Sequence, residues 1–435
     1  MRLSIGQALM GDDSVSCVIT GEGCVDLEAL RRRVARVQSS VPAGVSRVML
    51  YSECSGTFLV RLLALLGLGI EVVLPANGQP ESLAKLASEH QLQMDDDWQP
   101  ACGQPGPVRW SQQGRLRLFT SGSSGDAKPV EKTLEQIEAE LAALEQMFGP
   151  RLAGTTVIAS VSHQHIYGLL FRVLWPFVSG RPFLAQTLRY PECIEGALLK
   201  YAPAVLVASP SVLERWDLNG KGVPRLAFSS GGPLARSAAV ARAQGWGEGV
   251  VEIYGSTETG GIARRQTSAA QPNPAWLPFP GVETRIEAQR LQLRSAFVDP
   301  HSWYLTDDLV ESAGEGFCLL GRADRTVKLA EKRVNLVAME RALESSAWVR
   351  KAALVMLPGR RAQLGAALEL TVAGQQSLAE VGHRGLSERL KQALMGEFER
   401  VTLPRRWRYR DQLPYNSQGK LPRTALLELF DVNQG

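Results

Sequence analysis

Six cysteines in 435 residues (17, 24, 54, 102, 193 and 318), none in a CxxC pair, are too scattered for a disulfide framework or a zinc site, and read as reduced thiols. No apolar run reaches the roughly 20 residues of a membrane span. The greasiest stretch, Phe58 to Leu74, is broken by Arg61 and Glu71. Asp12 and Asp13 stand where a signal peptide needs an apolar core, so a cytoplasmic protein is expected. Charge of one sign is missing as well. Lys+Arg 48 against Asp+Glu 44 leaves +4, which argues against a nucleic-acid binder and against an acidic tail. Internal repeats and low-complexity tracts are absent. What is present is 45% hydrophobic and 21% charged residues, enough to pack two or three domains.

Strand-like and helix-like segments alternate. Val48 to Tyr51, Ile70 to Leu74, Val157 to Ala159, Val205 to Val207 and Val250 to Tyr254 read as strands, and Thr57 to Leu66 as a buried helix. Leu116, Leu118 and Thr120 alternate with Arg115, Arg117 and Phe119. Leu134, Ile137, Leu141 and Leu144 recur at helical spacing, with Glu135, Glu138, Glu140 and Glu145 between them. This alternation predicts a largely parallel sheet covered by helices. After Gly321 the character changes. Two strands, Val349 to Leu357 and Leu364 to Val372, and a helix, Leu386 to Phe398, predict a small α+β domain over 322–435 after a larger α/β domain over 1–321.

Four segments have the composition of sites. In Phe119 to Lys128, FTSGSSGDAK, hydroxyls, glycines and a lysine follow a strand and precede a helix; exposed N–H groups, hydroxyl donors and a point charge suit a polyphosphate, although a plain polar turn has the same composition. It is not the ordinary P-loop, which needs Gly at Ala127 and Ser or Thr at Pro129. Val251 to Gly261 runs from an apolar strand into a glycine-rich turn, where Glu258 is a hard ligand for Mg²⁺ or a solvated turn residue. Asp307 and Asp308 are suited to sugar hydroxyls or to a surface turn. Lys420, in LPYNSQGKLPR, lies in a Gly/Pro loop where a lysine is ordinarily solvated.

Their order along the chain resembles the adenylate-forming superfamily of acyl-CoA synthetases, carrier-protein ligases, adenylation domains and luciferases. FTSGSSGDAK resembles its phosphate loop, SSGGPL (229–234) and YGSTE (254–258) its adenine and Mg·ATP motifs, YLTDDL its ribose motif, GRADRTVK (321–328) its hinge, and LPYNSQGKLPR its catalytic-lysine motif. The resemblance spans roughly 115 to 425. It implies a large N-terminal α/β domain of the adenylate-forming fold and a small mobile α+β C-terminal domain.

It also implies two half-reactions: a carboxylate attacks the α-phosphate of ATP to give acyl-AMP and pyrophosphate, and a thiol then displaces AMP. By resemblance Thr120, Ser121, Gly122, Ser123, Ser124, Gly125 and Lys128 hold the β- and γ-phosphates. Thr257 contacts phosphate and Glu258 holds Mg²⁺. Tyr254, Gly255, Ser256, Gly231 and Gly232 surround adenine; Asp308 binds the ribose with Arg322 beside it. Asp324 is the hinge, and Lys420 bridges the carboxylate and the α-phosphate.

The sequence departs from the family at Asp307, Ala127 and Pro129, and at Glu331, where a glycine is expected in the loop that lines the thiol's approach. Only about 115 residues precede the phosphate loop, which makes this a compact member. Ser162 to Gly168, SHQHIYG, resembles the segment lining the acyl pocket of aryl-acid and 4-coumarate ligases, with His165 near the carboxylate. Gly260, Gly261 and Ile262 form an apolar slot for a flat ring or acyl chain. The short chain resembles the AMP-ligases of bacterial aryl polyene and xanthomonadin pathways, which load an aromatic acid such as 4-hydroxybenzoate or a hydroxycinnamate onto acyl carrier protein. Free CoA is the alternative acceptor, and a non-catalytic acyl-AMP or nucleotide-binding module the alternative in kind. Basic clusters at Arg31 to Arg33 with Arg36, at Arg360 and Arg361, and at Arg405, Arg406, Arg408 and Arg410 would complement an acidic carrier.

Overall fold

The computed structural model describes residues 3–11, 16–21, 23–121, 127–216, 222–268, 270–271, 273–329, 332–357, 363–415 and 421–430; for 16–17, 120–121, 127–128, 324, 326, 328 and 332–333 this is the backbone alone. Gly122, Ser123, Ser124, Gly125, Glu331, Arg360, Arg361 and Lys420 lie outside the described residues. The chain divides into two compact units, 1–284 with 293–304, and 285–292 with 305–435. The division passes within the strands Val282–Glu287, Arg290–Ser295 and Asp299–Ala313.

Two sheets build the first unit. Among the described residues one has nine strands, in the order Leu277–Pro278, Gly260–Gln266, Val251–Ser256, Leu226–Ser229, Ala204–Ala208, Thr156–Ala159, Phe183–Leu184, Ser16–Thr20, Gly23–Asp26. From Val251–Ser256 to Phe183–Leu184 and on to Ser16–Thr20 all neighbours are parallel. Valine, isoleucine and alanine fill these strands because both faces are covered. The second sheet has the order Leu92–Met94, Arg47–Leu50, Glu71–Leu74, Arg115–Ser121, Ala127–Thr133, and its last pair is an antiparallel hairpin registered from Arg115↔Thr133 to Ser121↔Ala127.

The helix Ser55–Gly67 is buried almost all round, as its composition dictates. Its one charge, Arg61, is tolerated because the guanidinium donates to Asp95 O and Trp98 O (2.5 and 2.7 Å) and lies over the Trp98 ring. The helix Leu134–Phe148 starts at a Thr133/Gln136 capping box. Of its glutamates Glu135 is exposed, while the other three are drawn into contacts with distant parts of the chain. Glu138 accepts from Ile5 N (2.8 Å), Glu145 from Trp175 and Arg181, and Glu140 is buried against the chain at Gly261. Cys24, Cys54, Cys102, Cys193 and Cys318 form no disulfide. Among the described residues no helix is long and apolar enough to cross a membrane.

In the second unit Val349–Leu357, Gln363–Leu370 and Arg406–Arg410 form a three-stranded sheet. Helices Leu336–Glu344 and Val372–Leu394 pack on it around Leu354, Leu368, Leu386 and Leu390. The second strand ends at Leu370, and Val372, read from sequence as strand, opens the helix. Thr371 terminates the strand because its hydroxyl accepts from Gly374 N (3.1 Å) in N-cap geometry. Gly382 (φ +69, ψ 176) leaves helical geometry and divides this stretch into two helices, the second of which is the one expected at 386–398 but ends at Leu394.

Candidate active site

The parallel strands of the nine-stranded sheet all end at one edge. Register pairs Ala159 with Val207, Ala208 with Ser229, and Ser229 with Glu252. Segments far apart in sequence (160–168, 229–232 and 254–261) therefore meet at the carboxyl ends of neighbouring strands, where open α/β sheets bind ligands. At this edge the hydroxyls of Ser160 and Ser229 are buried without a hydrogen-bond partner among the described residues. Such orphans are sparse in folded proteins and fit groups that a bound molecule completes.

The 254–261 turn is built to be rigid. Thr259 Oγ1 accepts from Ser256 N (3.0 Å), and Thr259 N donates to Ser256 Oγ (3.2 Å). Gly260 has φ +67, and a Cβ on Gly255 would lie 2.2 Å from Gly260 O. Only glycines fit this turn. Tyr254 stands against Trp276 (5.6 Å between rings); Arg265 covers Trp276 and pairs with the buried Glu252 (2.8 Å). Thr257 and Glu258 are half-buried. Among the described residues the Glu258 carboxylate accepts no hydrogen bond, though the buried Lys132 ammonium lies near enough to feel its charge; a carboxylate suits a hard cation. Among the described residues no group of three His, Cys, Asp or Glu is placed to hold a metal alone. One carboxylate plus substrate phosphates is the set that Mg²⁺ favours.

Thr120 and Ser121 end one strand of the 115–133 hairpin, and Lys128 pairs with Thr120 on the other. Gly231 (φ +90) and Gly232 are exposed just past Leu226–Ser229, where Ser230 Oγ donates to Ile253 O (2.9 Å). Gly260, Gly261 and Ile262 are buried; a Cβ on Gly261 would strike the Phe279 ring at 2.4 Å.

His165 is half-buried and precedes the helical turn Ile166–Gly168, which continues as a π-helix over Leu169–Leu174. Such π-helical turns often accompany functional sites. The π-turn carries Arg172, which is fully buried and donates to Val161 O (2.8 Å), Thr187 Oγ1 (2.7 Å) and Ala185 O (2.7 Å). The Tyr167 hydroxyl donates to Ala208 O (3.3 Å).

His163 does a different job from His165. It is buried against Phe58, and its Nε2–H donates to Ser52 O (2.9 Å), tying this loop to the end of strand Arg47–Leu50 in the other sheet. Burial, aided by the Arg172 charge, pushes its pKa from 6.5 down to about 3. The unfolded chain therefore binds this proton first. His163 contributes fully above pH 6.5, and that contribution is lost as pH falls toward 3. Denaturation across this window should show a slope of about 1.4 kcal/mol per pH unit that His163→Gln flattens; an unchanged slope would remove the assignment.

Asp308 and Arg322 belong to the second unit. Asp308 N donates to Thr306 Oγ1 (3.1 Å), and Arg322 approaches its carboxylate at 3.9 Å across the hairpin register Asp308↔Arg322. The adjacent Asp307 is held by Arg290 (2.7 Å) and is the more exposed of the two. Asp324 lies in a 3₁₀ turn, Ala323–Arg325. Several arginines of the basic clusters are internally engaged: Arg31 with Leu9 O (2.6 Å), Arg408 with Leu429 O (2.9 Å) and Arg410 with Tyr409 O (3.1 Å).

The structure adds two residues that sequence did not single out. Lys132 Nζ, buried, donates to Glu258 O (2.7 Å) and Phe297 O (2.8 Å), and Glu140 Oε1 accepts from Gly261 N (2.7 Å). Burial lowers the Lys132 pKa and pushes Glu140 up to about 7. No motif marks them; their only signal is a charge at a position where the pattern of apolar burial continues on either side.

Residues 84–294 match the AMP-binding enzyme family. Over 316 residues the chain is 28% identical to a 4-coumarate–CoA ligase of Cereibacter sphaeroides, covering 71% of this chain and 70% of that protein. It is 27% identical over 354 residues to an anthranilate–CoA ligase of Pseudomonas aeruginosa, covering 72% and 66%. An o-succinylbenzoate CoA synthetase from Bacillus subtilis, solved in complex with its acyl-adenylate intermediate, superposes with TM-score 0.79 at 17% identity over 100% of this chain and 99% of that one. At that identity the likeness is one of fold.

Proposed function

We propose, from the premise that this chain is an adenylate-forming ligase of the AMP-binding family, that it activates an aromatic carboxylic acid and loads it onto the phosphopantetheine thiol of an acyl carrier protein. The observation that carries the site is the convergence of 160–168, 229–232 and 254–261 at one sheet edge. Relatives named as 4-coumarate–CoA and anthranilate–CoA ligases favour a ring.

In the first step a carboxylate oxygen attacks the α-phosphorus and pyrophosphate leaves with the bonding pair. Two anions meet, so cations and N–H donors fixed in a water-poor site lower the barrier. Thr120, Ser121, Lys128 and Gly122 to Gly125 receive the β- and γ-phosphates. Mg²⁺, brought by the nucleotide and held at Glu258, would offset charge on those oxygens. Tyr254, Gly255, Ser256, Gly231 and Gly232 take the adenine. Asp308 and Arg322 take the ribose, and Thr257 a phosphate oxygen. His165 lies beside the substrate carboxylate.

In the second step the thiolate attacks the acyl carbon and AMP leaves. For this the 322–435 domain turns about Asp324 and withdraws Lys420. ATP and a reduced thiol acceptor place the reaction in the cytoplasm.

Free CoA is the second reading, favoured by relatives that are CoA ligases. Acid-dependent pyrophosphate exchange over 4-hydroxybenzoate, hydroxycinnamates, anthranilate and fatty acids tests the first step. Exchange with an aromatic acid is expected, and exchange with none of the panel overturns the proposal. Supplying CoA or a holo-carrier protein and weighing the thioester by mass spectrometry decides the acceptor.

A further inference from the structure

We propose that Lys132 and Glu140 are positioning residues for the nucleotide: together they clamp the main chain from 258 to 261 and so aim Thr257 and Glu258. This rests on the adenylate-forming reading above. Three observations support it.

First, the contacts are to backbone, on both sides of the turn. Lys132 holds the carbonyl of Glu258 (2.7 Å) and Glu140 holds the N–H of Gly261 (2.7 Å). The carboxylate also fits the glycine. Gly260 has φ +67, and any Cβ there would lie 2.4 Å from Glu140 Oε2, so the glutamate occupies space that only a glycine leaves open.

Second, the clamp joins separate parts of the site. Lys132 sits on Ala127–Thr133, the strand that returns from the phosphate loop, and Glu140 on the helix that follows it. The second donation of Lys132, to Phe297 O (2.8 Å), and that of Gln136 to Val298 O (2.5 Å) fix the 297–298 segment to the same strand and helix.

Third, the arrangement is poor as mere scaffolding. Both side chains are 3% exposed, and a buried ammonium and carboxylate are commonly replaced by apolar residues of similar volume at no loss of stability. Two opposite buried charges that hold three peptide groups, at Glu258, Gly261 and Phe297, in a fixed attitude are explained by what those groups position. Residues behind a metal-holding side chain act this way, and their loss typically weakens metal affinity or activity about 10–100-fold.

The test uses Lys132→Met, Glu140→Gln, and the double variant Lys132→Met/Glu140→Leu. Calorimetry reads Mg·ATP binding, exchange kinetics read the KM for Mg·ATP and for acid separately, and thermal unfolding reads stability. Lys132→Met should weaken Mg·ATP about 10–100-fold with the acid KM unchanged. Glu140→Gln, which still offers an oxygen to Gly261 N–H, should lose less.

The double variant leaves no unpaired buried charge. It should recover the melting temperature of the wild type but not its nucleotide affinity, and it carries the test if Lys132→Met does not fold. Recovery of both together, or an equal rise of both KM values, overturns the clamp. Wild type that binds Mg·ATP but exchanges with no acid would remove the proposed function and leave the clamp standing. A Lys132→Met protein that binds Mg·ATP as wild type does, while exchange proceeds, would do the reverse.

Discussion

Lys420→Ala should lower acid-dependent pyrophosphate exchange by about 10²–10³-fold, the usual cost of removing one donor from a charge-stabilising site. Thioester formation from supplied acyl-AMP should be nearly unchanged. The asymmetry follows from charge. In adenylation the ammonium offsets two anions at once; in thioester formation the α-phosphate is leaving and a thiolate arrives, so that ammonium has no partner to bridge. Lys420 lies outside the described residues, but both flanks of its loop are anchored in the second unit. Leu413 N donates to the buried Glu369 (2.6 Å), which also pairs with Arg350 (2.8 Å), and Leu421 packs beside Leu413 and Leu426. The substitution should leave the melting temperature within the small range of surface changes. Stopped reactions quantified for acyl-AMP and thioester separately check it, and equal loss of both steps would refute the two-conformation assignment.

Gly168→Ala is expected to cost about 1–3 kcal/mol of stability, as overpacking does, and about 10²-fold in kcat/KM, as an ångström-scale misplacement in a site can. A Cβ at 168 would lie 2.0 Å from Ser162 O and 3.2 Å from His163 Cα, against a floor near 3.0 Å for real contacts. The obstacle is backbone, so no side chain can rotate away. Ser162 and His163 must move, and His165 and the ties of His163 and Gln164 to Ser52 O move with them. Chemical denaturation and exchange kinetics on the same protein separate the two effects. Wild-type kinetics in a destabilised protein would show that this segment is distant from the chemistry.

The sequence made much of this site legible because its segments obey a general rule. Apolar strands running into Ser/Thr/Gly turns mark the carboxyl edge of a parallel sheet; 251–261 follows that pattern, whereas the four-residue strand Leu226–Ser229 is not picked out by sequence. The boundaries of Val349–Leu357 and of the buried helix near 57–66 were equally readable, since apolar composition fixed them. Other features were hidden for identifiable reasons. Glu138, Glu140 and Glu145 flank the apolar stripe of their helix, and their partners come from residues 5, 261, 175 and 181, which no local window contains. Val372 continued an apolar run, and the stop came from a threonine hydroxyl turning back on Gly374. From sequence the 119–128 segment runs straight into a helix, whereas 127–133 is a strand, and the role of its Lys132 depends on two carbonyls more than a hundred residues away.

The strand Ala127–Thr133 lies at the rim of its sheet and is laddered to Arg115–Ser121 alone. Lys132 supplies from a side chain the tether that a missing neighbour would have given, and sets it on the inner face. Among the described residues the strand Ala127–Thr133 is thus held along one edge by its ladder and at its far end by the Lys132 side chain.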